Sequence, residues 1–365
     1  MVNLTDVHSS NVASDDEPAG APPSWELHRV GNLAGHTSRV FCTAFSPREP
    51  WVVATASEDG TVRVWNAAQQ RLIMTLSGHE EQAVFSVAWS PDGRFLATGA
   101  SDGKIALWDY ATGTSRLVLT PGGDVFCAKF VDENTLVSTS DDNVTVWDVA
   151  TGMPKQKKSV GSKTNYVFGG IERNPDSTAW AFAMDHNPRR NTLALGVSDA
   201  TVRVWDMNLQ ELVIFQGHAK DVCSVCAHES GDELLSGSGD GMVGVWDVKN
   251  RQARAIPGHE GSVHDVGYWP GEKGHDIFSV SVDRTFRVWD GNSAREGEQP
   301  LQLAQIGPGA TAVLSAAWSP YLGKGGGVAV AGGENKSLFG QDFRVGLYSR
   351  DSEALDALAT TQEAG

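Results

Sequence analysis

Five histidines in this chain directly follow a glycine, and four of them open a recurring set: His36, His79, His218 and His259. Each is followed in its own stretch of chain by a hydroxyl (Thr55, Thr98, Ser236 or Ser279) and, four residues later, by an aspartate (Asp59, Asp102, Asp240 or Asp283). Hydroxyl, imidazole and carboxylate are the parts of a nucleophilic relay, in which the carboxylate orients the imidazole and the imidazole takes the hydroxyl proton. Here the trio recurs four times, and a tryptophan stands six residues after each aspartate: Trp65, Trp108, Trp246 and Trp289. A buried indole N–H, hydroxyl, imidazole and carboxylate each need a partner, and these four can satisfy one another. A satisfied network has no group to offer a substrate. The sixteen residues therefore read as a repeated structural tetrad.

Other chemistry is sparse. The cysteines are Cys42, Cys127, Cys223 and Cys226. Cys223-Ser-Val-Cys226 has the spacing of a metal or redox pair, but its stretch reads as a strand. Alternation along a strand puts residues three apart on opposite faces, so buried, reduced thiols are expected. There is no phosphate-cradling Gly-Lys-Ser/Thr string and no His-Glu-x-x-His. His186 and His275 stand beside Asp185 and Asp276 and read as loop residues, two scattered pairs that make no site. No catalytic residue, metal or cofactor is expected.

The chain has 365 residues, 40% of them hydrophobic, and a net charge of −16. That balance argues against direct nucleic-acid binding, which rests on neutralising phosphates with Lys and Arg. Lys155, Lys157 and Lys158 are the one basic cluster, expected on a solvated loop. No apolar run approaches the ~20 residues of a membrane span. Residues 1–24 are acidic and Pro/Ala-rich, lacking the apolar core of a secretion signal, and read as a disordered tail. A reducing cytoplasmic or nuclear compartment is expected.

The elements that carry the tetrads recur as well. Strands ending in Trp are Val62–Trp65, Ile105–Trp108, Val144–Trp147, Val202–Trp205, Val243–Trp246 and Phe286–Trp289. The Trp-to-Trp steps are 43, 39, 58, 41 and 43 residues, and a degenerate copy ends at Tyr348. Apart from the long step, these match the ~40–45 residues of one four-stranded propeller blade. The order Gly-His, hydroxyl, Asp, Trp resembles the WD-repeat family from about Glu26 to Tyr348.

The resemblance implies an all-β, seven-bladed WD-repeat β-propeller over residues 25–350, its ring closed by an N-terminal strand, with a C-terminal tail at 351–365. Ser352–Ala359 favours a short helix or strand. Three blades are irregular. The third has Pro121-Gly-Gly123 in place of Gly-His. The fourth has Leu195 at the hydroxyl position and about fifteen extra residues between Met153 and Ser177. The seventh has Tyr348 for Trp and a turn stretched from Gly332 to Asp342. The extra residues read equally as decay or as a partner-specific loop.

In relatives such as G-protein β subunits, partners lie on the face formed by the Gly-His and turn-Asp loops. Carried over, contacts at the start of each inner strand fall on Arg39 and Phe41, Ala83 and Phe85, Asp124 and Phe126, Thr178 and Trp180. In the remaining blades they fall on Asp221 and Cys223, Ser262 and His264, Ala312 and Leu314. Contacts just before the turn Asp fall on Glu58, Ser101, Asp141, Ser198, Gly239 and Val282. Ten of these form the candidate partner site: Arg39, Phe41, Glu58, Phe85, Asp124, Phe126, Asp141, Trp180, Asp221 and His264. Aromatic rings rimmed by carboxylates suit a peptide with an apolar or Arg anchor and basic flanks. The rings equally fit simple gap-filling between inner strands.

The function expected is a non-catalytic protein-interaction scaffold, a monomer within a complex of other proteins. The alternative is a substrate receptor of a cullin-type ubiquitin ligase. Some WD-repeat proteins dock that adaptor through Trp-Asp-any-Arg, and none of the Trp-Asp strings here has the Arg.

Overall fold

A computed structural model describes residues 27–161, 178–271, 274–292, 301–306, 312–319, 327–332 and 345–349. The expected tails at 1–24 and 351–365, the Ser352–Ala359 element and most of the fourth-blade insertion lie outside these residues. The described chain forms seven four-stranded antiparallel sheets. Blade 1 shows the plan, with strands Val40–Phe45, Val52–Ser57, Thr61–Asn66 and Arg71–Ser77 paired in chain order.

The expected seven-bladed ring is corrected to six blades built from contiguous chain. Six sheets are contiguous four-strand runs, whereas the remaining sheet is composite. In that sheet Val313–Ser319, Gly327–Gly332 and Val345–Ser349 are joined by His28–Leu33, which pairs with Val345–Ser349.

The strand order within a blade follows from burial. Val52-Val-Ala-Thr-Ala-Ser57 is covered on both faces and buried throughout, as a near-continuous run of small and β-branched residues allows. The outer strand Arg71–Ser77 is largely exposed. The apolar core lies between blades. Seven hydrophobic clusters each join two neighbours, from Val64 with Val87 and Trp108 (blades 1 and 2) to Val345 and Leu347 with Val40 and Trp65 (blades 7 and 1). Fully burying one such valine or leucine is worth about 1.5–3 kcal/mol, so face-to-face packing is the main force holding the ring.

Polar bonds between inner strands add to it. Asp265 accepts from Ser224 Oγ of blade 5 at 3.0 Å and from Ala316 N of blade 7 at 3.1 Å. Asp185 accepts from Ala227 N at 2.8 Å and pairs with Lys129 Nζ at 2.7 Å. Ser86 Oγ accepts from Ala128 N, and Ser315 Oγ from Thr43 N, each at 3.1 Å.

Three local expectations are corrected. Lys155, Lys157 and Lys158 sit on the outer strand Pro154–Ser159 rather than a loop. Lys157 and Lys158 donate to the carbonyls of Pro121 and Leu209. His186 and His275 also lie in strands, Ala181–Asn187 and Gly274–Ser281. Finally, Cys223 and Cys226 both line the central channel. The cause is a bulge between Val222 and Ser224, which breaks the alternation.

Candidate functional site

All seven inner strands carry that bulge at the same register, between Val40 and Cys42 in blade 1 and at the matching residues of the others. The extra residue is Phe41, Phe85, Phe126, Phe182, Cys223, His264 or Leu314. A bulge re-aims its side chain, and here each of the seven lines the central channel of about 580 Å³. The preceding residues Val40, Val84, Val125 and Ala181 are fully buried between blades.

Four of the extra residues are aromatic, and they are consecutive around the ring. Phe41 and Phe85 lie 5.5 Å apart between centroids, and Phe85 and Phe126 5.7 Å, the latter pair stacked. Phe126 stacks on Trp180 at 6.0 Å and 26° and meets Phe182 edge-on at 5.1 Å. Trp180 and Phe182 are also perpendicular, at 6.1 Å. The result is one continuous aromatic arc across blades 1 to 4, ending at the half-exposed Trp180.

The register corrects the fourth blade. Ala181 pairs with Val197 as Val40 pairs with Ser57, so Trp180 matches Arg39 and Phe182 matches Phe41. The sequence expectation puts Thr178 and Trp180 there instead. Phe182 was missed because no Gly-His fixes the register of this blade. The pattern of one aromatic per inner strand was the signal that could have found it.

The remaining candidates divide around this arc. Glu58 accepts from Ser38 Oγ at 2.6 Å and faces Arg39 at 3.8 Å, so blade 1 is locally charge-balanced. Asp141 N donates to Asp124 O and Asp141 O accepts from Ala181 N, which brings both acids beside Trp180. Burial, and then the neighbouring Asp141, raise the Asp124 carboxyl above the usual aspartate value. Asp221 and His264 lie in blades 5 and 6, outside the four blades that carry the arc. Burial lowers the His264 imidazole.

Beneath the arc the channel is polar but engaged. Burial alone would lower the Lys129 ammonium, yet Asp185 beside it holds it above the usual lysine range. Burial pushes the Cys42 thiol up to about 12 and Cys223 to about 11. These thiols are protonated at neutral pH, so they are poor nucleophiles and poor metal ligands. Among the described residues no group of three His, Cys, Asp or Glu is placed to hold a metal ion.

The tetrads have one geometry. His36 Nδ1 lies 2.8 Å from Asp59 Oδ2 and His36 Nε2 2.7 Å from Thr55 Oγ1, and Trp65 Nε1 donates to Thr55 Oγ1 at 2.9 Å. The same chain runs through His79, Asp102, Thr98 and Trp108. It recurs through His218, Asp240, Ser236 and Trp246, and through His259, Asp283, Ser279 and Trp289. The glycine before the histidine has a steric origin in blades 1, 2 and 6. A Cβ on Gly78 would stand 2.7 Å from the Trp108 ring, and one on Gly258 2.7 Å from Trp289.

Burial alone would raise Asp59, but hydrogen bonds from His36 and Thr61 hold it far below the usual aspartate value. Gly99-Ala-Ser101-Asp-Gly103 has the spacing of a hydrolase nucleophile elbow. It occupies a strand-to-strand turn, however, and its Asp102 is taken by His79.

Blade 4 solves the same problem differently. Leu195 offers Trp205 no oxygen, and Trp205 Nε1 has no partner among the described residues. Arg203, buried in this blade, bonds Asp199 as histidine does elsewhere and donates to Val160 O at 2.7 Å. Lys158 Nζ lies 5.0 Å over the Trp205 ring. In blade 3, Trp147 Nε1 still donates to Ser138 Oγ at 2.9 Å, while the turn residue Asp142 takes Ser159 Oγ from the outer strand.

Repeated His–hydroxyl–Trp chains on four-stranded blades are what a WD-repeat propeller requires, and residues 26–290 match the family described as the IFT122 first beta-propeller. The chain belongs to that family. Curated relatives agree on the class of protein. A nuclear distribution protein PAC1 from Arthroderma benhamiae is 25% identical over 285 residues, covering 71% of this chain and 60% of the relative. The chain thus spans three-fifths of that relative's length. A guanine nucleotide-binding protein subunit beta from Oryza sativa subsp. japonica is 28% identical, covering 68% and 66%. A PAC1 protein from Ajellomyces capsulatus is 29% identical, covering 84% and 70%. Among the described residues of this family member, no helix is long and apolar enough to cross a membrane.

Proposed function

We propose that this WD-repeat propeller is a non-catalytic scaffold and that the aromatic arc at the channel mouth binds a segment of another protein. The observation that carries the reading is the run of contiguous rings from Phe41 to Trp180, lifted out of the blade packing by bulges. Aromatic side chains bury large areas at little entropic cost, and clustered rings are the usual anchors of a protein interface. The tetrad histidines and aspartates are consumed in holding blades together. That supports a binding role over a catalytic one.

The same reading makes the protein one member of a hetero-complex, with no direct contact to nucleic acid. Its four thiols are free, which fits the reducing cytoplasm or nucleus.

Affinity purification with mass spectrometry tests this, comparing the native chain with a Phe41→Ala/Phe85→Ala/Phe126→Ala variant. The variant must first show a cooperative thermal transition, because truncating three rings also removes contacts among themselves. Partners lost from the folded variant support the arc as the binding face. An unchanged partner set would mean that the rings only fill space between inner strands.

A further inference from the structure

Charge is distributed unevenly around the aromatic arc. Glu58 on blade 1 has Arg39 beside it, and in the channel Asp185 has Lys129. Asp124 and Asp141, between blades 3 and 4, have no ion pair with a basic side chain among the described residues. They are nevertheless held close together. The Asp141 carboxylate lies against the backbone of Gly123, in space that a Cβ would fill, and Gly123 has φ +79°. Asp141 itself sits in the left-handed region at φ 46°. Two carboxylates confined side by side repel each other unless a cation stands between or beside them.

Trp180 supplies the adjoining wall. Its backbone is fixed by Ser198, whose Oγ accepts from Trp180 N at 2.9 Å. One face of its ring stacks on Phe126 at 6.0 Å and 26°, with Phe182 perpendicular to both. That packing leaves no slot between the rings for a rounded methylammonium group. The residue is still 43% exposed, so it presents area outward from the stack. A planar guanidinium can lie flat on an indole while its fork of N–H groups reaches carboxylates, whereas a lysine ammonium cannot do both.

We infer that the notch formed by Trp180, Asp124 and Asp141 takes an arginine side chain of the bound segment. The inference rests on the aromatic arc being a binding face and assigns the chemistry of its anchor. It places the anchor at the blade 3–4 end, where the acids lack basic partners among the described residues, rather than over the channel.

The probe is an array of capped peptides with random flanks and one fixed central residue: arginine, citrulline, lysine or trimethyl-lysine. The purified full-length chain is applied to it. Arginine-centred peptides should be retained about tenfold better than citrulline-centred ones, the loss expected when a charge-assisted bidentate contact is removed. An Asp124→Asn/Asp141→Asn variant should lose that preference while melting like the native chain, because asparagine also tolerates the left-handed backbone. Equal retention of arginine and citrulline peptides overturns the inference, as does a preference that survives in the Asn variant or a stronger one for trimethyl-lysine. If peptides or cellular partners still depend on the three phenylalanines, the binding face stands and only the arginine anchor is lost.

Discussion

Blade 1 and blade 4 hold the same turn by different means. In blade 1 the His36 imidazole bridges Asp59 and Thr55, and the hydroxyl passes the connection to the Trp65 indole. In blade 4 a buried guanidinium holds Asp199, and the Trp205 indole is left out of the chain. The first arrangement is a closed polar network. The second combines an ion pair, an apolar Leu195 and a cation over the ring. The contrast shows that a blade keeps its turn carboxylate hydrogen-bonded more strictly than it matches every buried donor. It also places the less regular packing at the Trp180 end of the aromatic arc.

The largest effect that would sharpen this contrast is expected from His79→Ala. It removes the imidazole from the nearly dry Asp102 carboxylate, which keeps only Lys104 as a partner among the described residues, and leaves Thr98 with one partner fewer. The expected cost is about 2–4 kcal/mol in chemical denaturation. A loss below the scatter of surface variants would show that the tetrad is decorative.

Arg203→Met tests the other solution. It keeps the aliphatic stem but removes the bonds to Asp199, Val160 and Thr201. We expect a loss of roughly 2–3 kcal/mol. An Arg203→Met protein as stable as the native chain would mean that the guanidinium does not replace histidine at all.

Acid should act on the tetrad blades in a defined order. Burial holds the His79 and His259 imidazoles below their ordinary 6.5, against the pull of Asp102 and Asp283. The folded state therefore binds fewer protons than the unfolded chain, and stability is lost as pH falls below about 6.5. Asp59, Asp240 and Asp283 are held below 3.8, net of burial, by hydrogen bonds from His36, His218 and Thr285. Their contribution is present above 3.8 and is lost in a second, more acidic step. A melting temperature that stays flat between pH 7 and 5 would contradict the first step. The smallest effect is expected from Leu195→Thr, which gives Trp205 a hydroxyl while removing apolar volume. The two changes oppose each other, for a net effect within about 1 kcal/mol.

The repeat and its tetrads were legible in the sequence because they depend on residue type at fixed spacing. A Gly-His, a hydroxyl, an Asp and a Trp leave little freedom once their order is seen. The aromatic arc was legible in blades 1 to 3, where Gly-His or Gly-Gly sets the start of the inner strand. It failed in blade 4, where Phe182 rather than Trp180 is the channel residue. The Cys223–Cys226 relation failed for a related reason, since period-two alternation does not foresee a bulge. Arg203 was passed over because Thr-Val-Arg also occurs in blade 1, where Arg63 lies 6.0 Å over Trp65 while His36 holds the aspartate. Its new role depends on what the rest of the blade lacks.

The exposure of Trp180 has an optical consequence. Trp65, Trp108, Trp147, Trp205, Trp246, Trp269 and Trp289 are all buried, and their emission is shielded from water. Trp180 presents a wet indole at the edge of the aromatic face. An aqueous quencher such as acrylamide should extinguish this tryptophan far more readily than those seven, and a segment docked on the arc should protect it. The face thus carries its own fluorescent gauge of occupancy, readable without any label.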